Sequence, residues 1–174
     1  MQETAEELLD LQALIDRGIQ QASPMLRRIF RMPEGSLSAR QLTRHFQGFK
    51  TVAMATATAK GEPRVAPVVA IFFHGKFHVA TDVSTTRARH LSKRSAVSLT
   101  YYERDNLAVI VHGIATMMES SHPDFAAVDV EFTRLVGMSM AQVTRQFDGK
   151  GPVALRVEPR TIYTFARERD KFPE

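Results

Sequence analysis

Three apolar segments and two turns follow one another from Phe49 to Val83, in the stretch FKTVAMATATAKGEPRVAPVVAIFFHGKFHVATDV. Residues 51–59 alternate alanines with larger side chains, which is the two-residue period of a β-strand. The turn Lys60-Gly61-Glu62-Pro63 separates them from a nearly continuous apolar strand over 64–73. A second turn, His74-Gly75, leads into a third strand over 76–83. Connections this short predict antiparallel pairing.

Three further strands are predicted downstream. The predicted elements are a short helix over 84–95, strands over 96–104 and 107–119, a helix opened by Ser121 and Pro123, a helix over 139–147 and a strand over 153–165. Several strands are apolar on both faces, as in Ala108-Val109-Ile110-Val111. Such a sheet must bury one face inside a closed barrel and the other under helices or a second subunit. We therefore predict a mainly β protein, a six-stranded antiparallel barrel with flanking helices.

The first 48 residues are predicted to be helices that cover the barrel. Thr4 and Glu7 form a capping box, and an apolar stripe follows on one helical face. The segment from Pro24 to Pro33 breaks this pattern, and Ser38 with Gln41 can cap a second helix. The stripe consists of Leu8, Leu11, Ile15 and Ile19. We divide the chain into a helical N-terminal extension (1–48), a barrel domain (49–166) and a C-terminal tail (167–174).

Composition excludes several classes of protein. The chain has 174 residues, 44% of them hydrophobic and none of them cysteine, which excludes disulfides, thiolate nucleophiles and cysteine metal sites. Its longest apolar run, 65–73, is far shorter than the ~20 residues that span a bilayer. The N-terminus carries Glu3, Glu6 and Glu7 instead of the basic and apolar regions of a signal peptide. We expect a soluble cytoplasmic protein with no membrane partner.

The positive charge is concentrated in the middle of the chain. The net charge is +4, and residues 49–105 carry nine basic against four acidic groups. The basic residues peak at Arg87, Arg89, Lys93 and Arg94. A local cluster of this kind favours an anionic small molecule or a phosphate group. A nucleic-acid-binding protein would spread its basic residues over a face with exposed aromatics between them, so we expect no nucleic-acid partner.

One segment has the pattern of a phosphate cradle: FHVATDVSTTRARHL, residues 77–91. A strand ends there, the hydroxyl residues Ser84, Thr85 and Thr86 follow, and a helix begins with Arg87. A helix N-terminus presents N–H groups without intrahelical acceptors, and hydroxyl and guanidinium donors beside it add to an anion site. Alternatively, Ser84 or Thr85 only caps the helix and the arginines form a solvated face.

In their order and spacing, several motifs resemble the pyridoxamine 5'-phosphate oxidase-like, flavin-binding split-barrel family. The resemblance covers residues 49–120 well and 152–166 loosely. It rests on Ala55-Thr56-Ala57-Thr58, Gly61-Glu62-Pro63, Pro67-Val68, Val79-Ala80-Thr81, Thr85-Thr86-Arg87-Ala88-Arg89-His90-Leu91, Val97-Ser98-Leu99 and Val111-His112-Gly113-Ile114-Ala115. The fold implied is a split β-barrel that forms a homodimer and holds FMN, or in a related branch the deazaflavin coenzyme F-420, at the subunit interface.

The resemblance also implies positions for the cofactor. The backbone of Ala66, Pro67, Val68 and Val69 would lie along the edge of the isoalloxazine-type ring, Ala80 and Thr81 beneath it, and Thr86 and Arg87 on the phosphate, while Arg89 fits an Arg-x-Leu pattern of the deazaflavin branch. The implied activity is that of an FMN- or deazaflavin-dependent oxidoreductase. The cofactor would carry the hydride chemistry, so we assign no catalytic side chain.

Two departures from the family pattern bear on the substrate. Ala108 stands where the vitamin oxidases tend to have a glutamine, and residues 156–165 lack their Arg-Leu-His-x-Arg motif. We therefore expect a small organic substrate other than pyridoxine phosphate. The alternative is a non-catalytic protein that binds a cofactor or haem, with His45, His78 or His112 as the axial ligand. The histidine spacing predicts no metal site. His112, in an apolar strand, is expected to be a core histidine, and the alternative is that it hydrogen-bonds substrate or cofactor across the subunit interface.

Overall fold

All six predicted strands form, each within two residues of its expected bounds. The computed structural model describes residues 3–174. The strands are β1 (Phe49–Ala57), β2 (Pro63–Phe73), β3 (Lys76–Asp82), β4 (Ala96–Glu103), β5 (Leu107–Glu119) and β6 (Pro152–Ala166). The helices are α1 (Ala5–Gln21), α2 (Pro24–Ile29), α3 (Ala39–His45), α4 (Thr86–Leu91), α5 (Phe125–Val136) and α6 (Met140–Gln146), and a 3₁₀ turn covers Arg169–Lys171.

The strands close into one barrel in the order β1-β2-β3-β6-β5-β4. Every neighbouring pair is antiparallel, and pairing between β4 and β1 around Met54 and Leu99 closes the ring. A bulge at His112/Gly113 bends β5 against β6. The predicted fold class, a six-stranded antiparallel split β-barrel with flanking helices, is confirmed.

Aromatic side chains fill one end of the barrel interior. Phe46, just after α3, inserts its ring against Phe77 of β3 at a centroid distance of 5.1 Å and against Phe72 of β2 at 6.1 Å. Val79 and Leu155 extend the same core inside the barrel. The strand residues one position away face outward, as the period of two requires.

The helix α1 packs against β6. The capping box of Thr4 and Glu7 forms as predicted, and the apolar face of the helix is buried. Close approach depends on Gly18, because a Cβ at this position would collide with the backbone carbonyl of Ile162 in β6. The N-terminal helices therefore cover the barrel wall directly.

The segment after α1 differs from the expectation. The break expected between Pro24 and Pro33 contains the short helix α2, whose N-cap is Ser23. Pro24 stands in the first turn, where a missing N–H costs no hydrogen bond, so proline begins this helix instead of preventing it. The capping box of Ser38 and Gln41 at the start of α3 forms as predicted.

The outer wall of the barrel is covered on one side and uncovered on another. On the covered side, α5 and α6 pack over Ile71 and Phe73 at the end of β2. On the other side, outward residues of β1, β2 and β4 remain at the surface; we call this the open face. Its members are Thr51, Ala53, Ala55, Val65, Pro67, Val69, Thr100 and Tyr102. Across residues 3–174, no helix combines the length and apolarity needed to cross a membrane.

Candidate functional site

The turn between β3 and α4 is held by its own hydroxyl groups. Thr85 is the N-cap of α4: its Oγ1 accepts a hydrogen bond from the Ala88 N–H at 3.2 Å and donates to the Asp82 carbonyl at 2.8 Å. The N–H and the hydroxyl of Ser84 both donate to the Asp82 carboxylate. Two of the three predicted hydroxyl residues thus make the turn, and Thr86 presents the exposed hydroxyl at the start of the helix.

The Asp82 carboxylate joins this turn to β6. Its Oδ2 accepts a hydrogen bond from the Gly151 N–H at 2.7 Å, in addition to the bonds from Ser84 at Oδ1. Burial alone would raise the pKa of Asp82, but the hydrogen bonds from Ser84 and Gly151 outweigh it and lower the pKa to about 2. The carboxylate stays ionised and fixes the end of β3.

Arg87 points back from α4 to the end of β3. Its Nη1 donates to the Thr81 hydroxyl at 3.2 Å, and that hydroxyl lies 3.2 Å from the Thr85 hydroxyl. The side chain is half-buried, and burial lowers the pKa of its guanidinium, which remains charged because arginine begins from so high a value. No carboxylate of residues 3–174 forms an ion pair with Arg87.

A cavity of about 210 Å³ brings part of the predicted site together, and we call it the Arg87 cavity. It is lined by Met54, Thr56, Arg64, Val65, Ala66, Thr85, Thr86, Arg87 and His90. Thr56 and His90 were not predicted as site residues; the Thr56 hydroxyl lies 3.0 Å from Nδ1 of His90. Thr56 comes to the cavity through the β1–β2 register, which sets it opposite Arg64, and His90 through the contact of α4 with β1. Neither can be read from the sequence without knowing the pairing and packing of these elements.

The remaining predicted ring contacts do not line this cavity. Pro67 and Val69 face outward on the open face, and Val68 points into the barrel core. Ala80 packs against the second core beneath α5. Thr81 is connected to the cavity only indirectly, because its hydroxyl accepts a hydrogen bond from Arg87. The structure therefore gathers the predicted phosphate residues Thr86 and Arg87 with Ala66, while the other predicted ring residues lie outside this cavity, on both faces of β2 and on β3.

A second cavity of about 290 Å³ adjoins the first, and we call it the Arg89 cavity. It is lined by Ala57, Ala59, Thr86, Arg89, His90, Ser92, Lys93 and Arg94, and shares Thr86 and His90 with the Arg87 cavity. Arg89 donates to the Thr86 hydroxyl at 3.0 Å, and Arg94 donates to the Ala59 carbonyl at 2.7 Å. Like Arg87, the cations Arg89, Lys93 and Arg94 form no ion pair with a carboxylate in the described part of the chain.

The histidines differ partly from expectation. His112 was expected in the core but is exposed, because it occupies an outward position of β5, where its Nδ1 lies 2.8 Å from the Ser98 hydroxyl. His78 is buried, and His45 contacts the rings of Tyr101 and Phe172. Residues 3–174 contain no cluster of three or more side chains suited to a metal ion.

Comparison with solved structures shows the same fold in several bacterial proteins. A conserved hypothetical protein of Mycobacterium tuberculosis superposes with a TM-score of 0.64 at 15% identity, covering 82% of this chain and 92% of that chain. The haem storage protein HutZ of Vibrio cholerae gives 0.58 at 17% identity, covering 73% and 90%. A pyridoxamine 5'-phosphate oxidase-related, FMN-binding protein of Nostoc punctiforme gives 0.56 at 14% identity, covering 84% and 85%.

Sequence comparison gives the family. No curated protein matches the chain significantly. The sequence profile of the family described as pyridoxamine 5'-phosphate oxidase matches residues 39–165, which include five strands, all but the last residue of β6, and the lining of both cavities beside α4. The match covers well over half of the chain, and the fold is the one expected of that family. The chain belongs to the pyridoxamine 5'-phosphate oxidase family.

Proposed function

We propose that this protein binds a flavin-type redox cofactor, FMN or the deazaflavin coenzyme F-420, and uses it as an oxidoreductase on a small organic substrate. The observation that carries the proposal is the environment of Arg87: a half-buried guanidinium lines a cavity of about 210 Å³ and forms no ion pair within residues 3–174. Burying a cation without a counter-ion costs free energy, and a bound phosphate removes that cost.

The phosphate would be held by residues at the start of α4. Thr86 offers a hydroxyl, Arg87 offers guanidinium donors beyond the one given to Thr81, and the first N–H groups of the helix have no intrahelical acceptors. The hydroxyls of Ser84 and Thr85 are already bonded to Asp82 within the turn, so these two residues would fix the position of the helix start and would not bind the phosphate with their hydroxyls. Ala66 on β2 lines the same cavity, and the ring edge would lie along that strand.

The Arg89 cavity favours a cofactor with a second anionic group. Arg89, Lys93 and Arg94 lie next to the phosphate position and form no ion pair with a described carboxylate. FMN ends at one phosphate, whereas F-420 continues into a phosphodiester and carboxylates. This difference in charge makes F-420 the better match to the two adjoining cavities.

We further propose a homodimer that holds the cofactor ring between subunits. The support is the open face, on which the β-branched apolar residues Val65 and Val69 are 66% and 38% exposed. In this half of β2 the strand pairs with β1 alone, because its pairing with β3 begins at Ala70. The Arg87 cavity opens beside Val65, so a second subunit on this face would cover the ring.

The chemistry would belong to the cofactor. A bound flavin or deazaflavin accepts and donates hydride, and the protein would bind and orient it and exclude water. Ala108 offers no side-chain hydrogen bond, so this position cannot contact a ring nitrogen as a glutamine would. This difference favours a substrate other than pyridoxine phosphate.

An absorption spectrum of the purified full-length protein tests the proposal directly. We expect a flavin band near 450 nm or a deazaflavin band near 420 nm (approximate chromophore positions), from cofactor that copurifies or after titration with FMN or F-420. A Soret band would instead support the non-catalytic haem-binding alternative, for which exposed His112 is the accessible axial ligand. A colourless protein that binds neither cofactor would contradict the proposal.

A further inference from the structure

A third cavity, of about 290 Å³, lies between α5 and the outer faces of β2, β3 and β6. It shares no residue with the two cavities beside α4. Its volume is just below the range of about 300–1,000 Å³ that is usual for small-molecule sites, which fits a small ligand. We call it the His78 cavity, and its lining residues are Phe73, His74, Lys76, His78, Asp124, Ala127, Val128 and Arg156.

The cavity wall contains a buried nitrogen atom that lacks a hydrogen-bond partner. His78 is 2% exposed, and its Nδ1 is buried without a hydrogen-bond partner. Burial, with the positive charges of Arg156 and Lys76, lowers the pKa of His78 to about 3, so its ring is neutral. Unsatisfied buried polar atoms are rare because each costs about 1–3 kcal/mol. Placed in a cavity wall, such an atom marks a position where a ligand can supply the partner.

Arg156 lies beside His78 with its donors only partly used. The two residues are directly opposite in the β3–β6 register. Nη1 of Arg156 donates to Asp124 at 2.8 Å, and Nε lies 3.1 Å from Glu158 without a hydrogen bond of good geometry. Since guanidinium has five N–H donors, Arg156 can also bind an anion in the cavity.

One cation at the cavity mouth, Lys76, has no carboxylate partner among the described residues. His74 is paired with Glu7 at 2.9 Å, and Arg156 is shared between Asp124 and Glu158. One negative group beside Lys76 is therefore what this mouth can take, because a second negative charge would meet Asp124.

The inner wall is apolar. Phe73 packs its ring 6.0 Å from the ring of His78, and Val128 of α5 is buried opposite. An anion without an apolar part, such as phosphate, would make no contact with this apolar wall. A flat or compact hydrocarbon body would fill it.

We propose that the His78 cavity binds a small organic monocarboxylate, with its carboxylate on Lys76 and Arg156, its apolar body against Phe73 and Val128, and a hydrogen bond to His78. The site is independent of the cofactor proposed above, because the two sites share no lining residue. Benzoate represents this chemistry as a probe: it has one carboxylate and one flat apolar ring.

Calorimetric titration of the full-length protein with benzoate tests the site. Benzamide, which has the same shape without the charge, and inorganic phosphate, which has charge without the apolar body, serve as comparison ligands. We expect saturable benzoate binding, about tenfold weaker benzamide binding and no phosphate binding at this site. Lys76→Gln should weaken benzoate binding about fivefold, and Lys171→Gln, on an exposed lysine paired with Glu168, should leave it unchanged.

A second variant separates ligand binding from folding. His78→Leu removes the unpartnered Nδ1 and keeps an apolar side chain in the cavity wall, so the melting temperature should stay within about 3 °C of the wild type, while benzoate affinity should drop about tenfold. The proposal is overturned if benzoate does not saturate, if benzamide binds equally well, or if either Lys76→Gln or His78→Leu leaves benzoate affinity unchanged. Flavin or deazaflavin binding should be the same in all these variants, so failure here leaves the cofactor proposal standing.

Discussion

Arg87 of α4 donates a hydrogen bond from Nη1 to the hydroxyl of Thr81 on β3, at 3.2 Å. This hydroxyl is neutral, so it fixes the direction of the guanidinium without cancelling its charge. An acidic residue in place of Thr81 would satisfy the guanidinium inside the protein and lower its affinity for an external phosphate. The pair therefore keeps a positive charge available at the cavity wall.

Replacing Arg87 with alanine should weaken cofactor binding. Loss of a charge-assisted hydrogen bond costs about 1.5–3 kcal/mol, which is about a 10–150-fold increase in Kd. Fluorescence or absorbance titration with FMN and with F-420 measures the change. Arg40→Ala, on an exposed arginine of α3, is the matched control and should bind like the wild type. Equal affinity of Arg87→Ala and wild type for both cofactors would remove the phosphate assignment.

Thr81→Val should have a smaller effect that depends on Arg87. Valine keeps the shape of threonine but removes the acceptor, so the guanidinium loses its orientation and keeps its charge. We expect about a 3–10-fold increase in the Kd of the cofactor, the range of one neutral hydrogen bond. In the Arg87→Ala background the same change should have no further effect, and a double-mutant cycle measures this coupling. Additive losses would show that Thr81 acts independently.

The strands and turns could be predicted from the sequence because they depend on local patterns. Alternation along β1 and the turns at Gly61 and Gly75 are visible in the chain itself, and the strand bounds follow. The position of His112 could not be predicted in this way. A residue in an apolar run can face either side, and the side is decided by pairing with β4 and β6, which is not local.

The site shows the same division. Thr86 and Arg87 stand in a continuous motif, and the structure places both in one cavity. Thr56 and His90 join them only because β1 and α4 meet in three dimensions. The hydroxyl of Thr85 could be predicted as a donor or as a helix cap, and only the distances to Asp82 and Ala88 distinguish the two roles.

Stability should fall in acid as Asp82 is protonated. Its pKa is lowered from an ordinary value of 3.8 to about 2 in the folded protein. The stabilisation from this carboxylate is therefore present above about pH 4 and is lost as the pH falls towards 2. Asp82→Asn should lower the free energy of unfolding near neutral pH by about 2–3 kcal/mol. Urea unfolding measured at several pH values checks both statements.

Asp82→Asn also tests whether Asp82 is the group responsible for the pH dependence of the free energy of unfolding. Asp82→Asn should flatten the decline in stability between about pH 4 and 2, since the group that titrates there is gone. Asp10→Asn, on an exposed carboxylate of α1, should keep the wild-type profile. An unchanged profile in Asp82→Asn would mean that the bonds to Ser84 and Gly151 do not stabilise the fold.

Phe46→Ala should be among the most destabilising single changes. The ring is 2% exposed and contacts Phe72, Phe77 and Tyr101, so its removal leaves a cavity between α3 and the barrel. Large-to-small changes of this kind cost about 3–5 kcal/mol. Phe147→Ala removes the same side chain where it is 78% exposed and should cost less than about 0.5 kcal/mol. Urea denaturation midpoints compare the two, and equal losses would contradict the assignment of this core.

Val65→Glu should separate the proposed dimer. Val65 lies on the open face beside the Arg87 cavity, and two-fold symmetry would bury a glutamate from each subunit in the same interface. Burying unpaired charges costs several kcal/mol, so we expect a monomer at micromolar concentration. Sedimentation velocity measures the state. Val130→Glu, on an equally exposed valine of α5, should remain dimeric. A wild-type monomer, or a Val65→Glu protein that stays dimeric, would show that the open face is not the subunit interface.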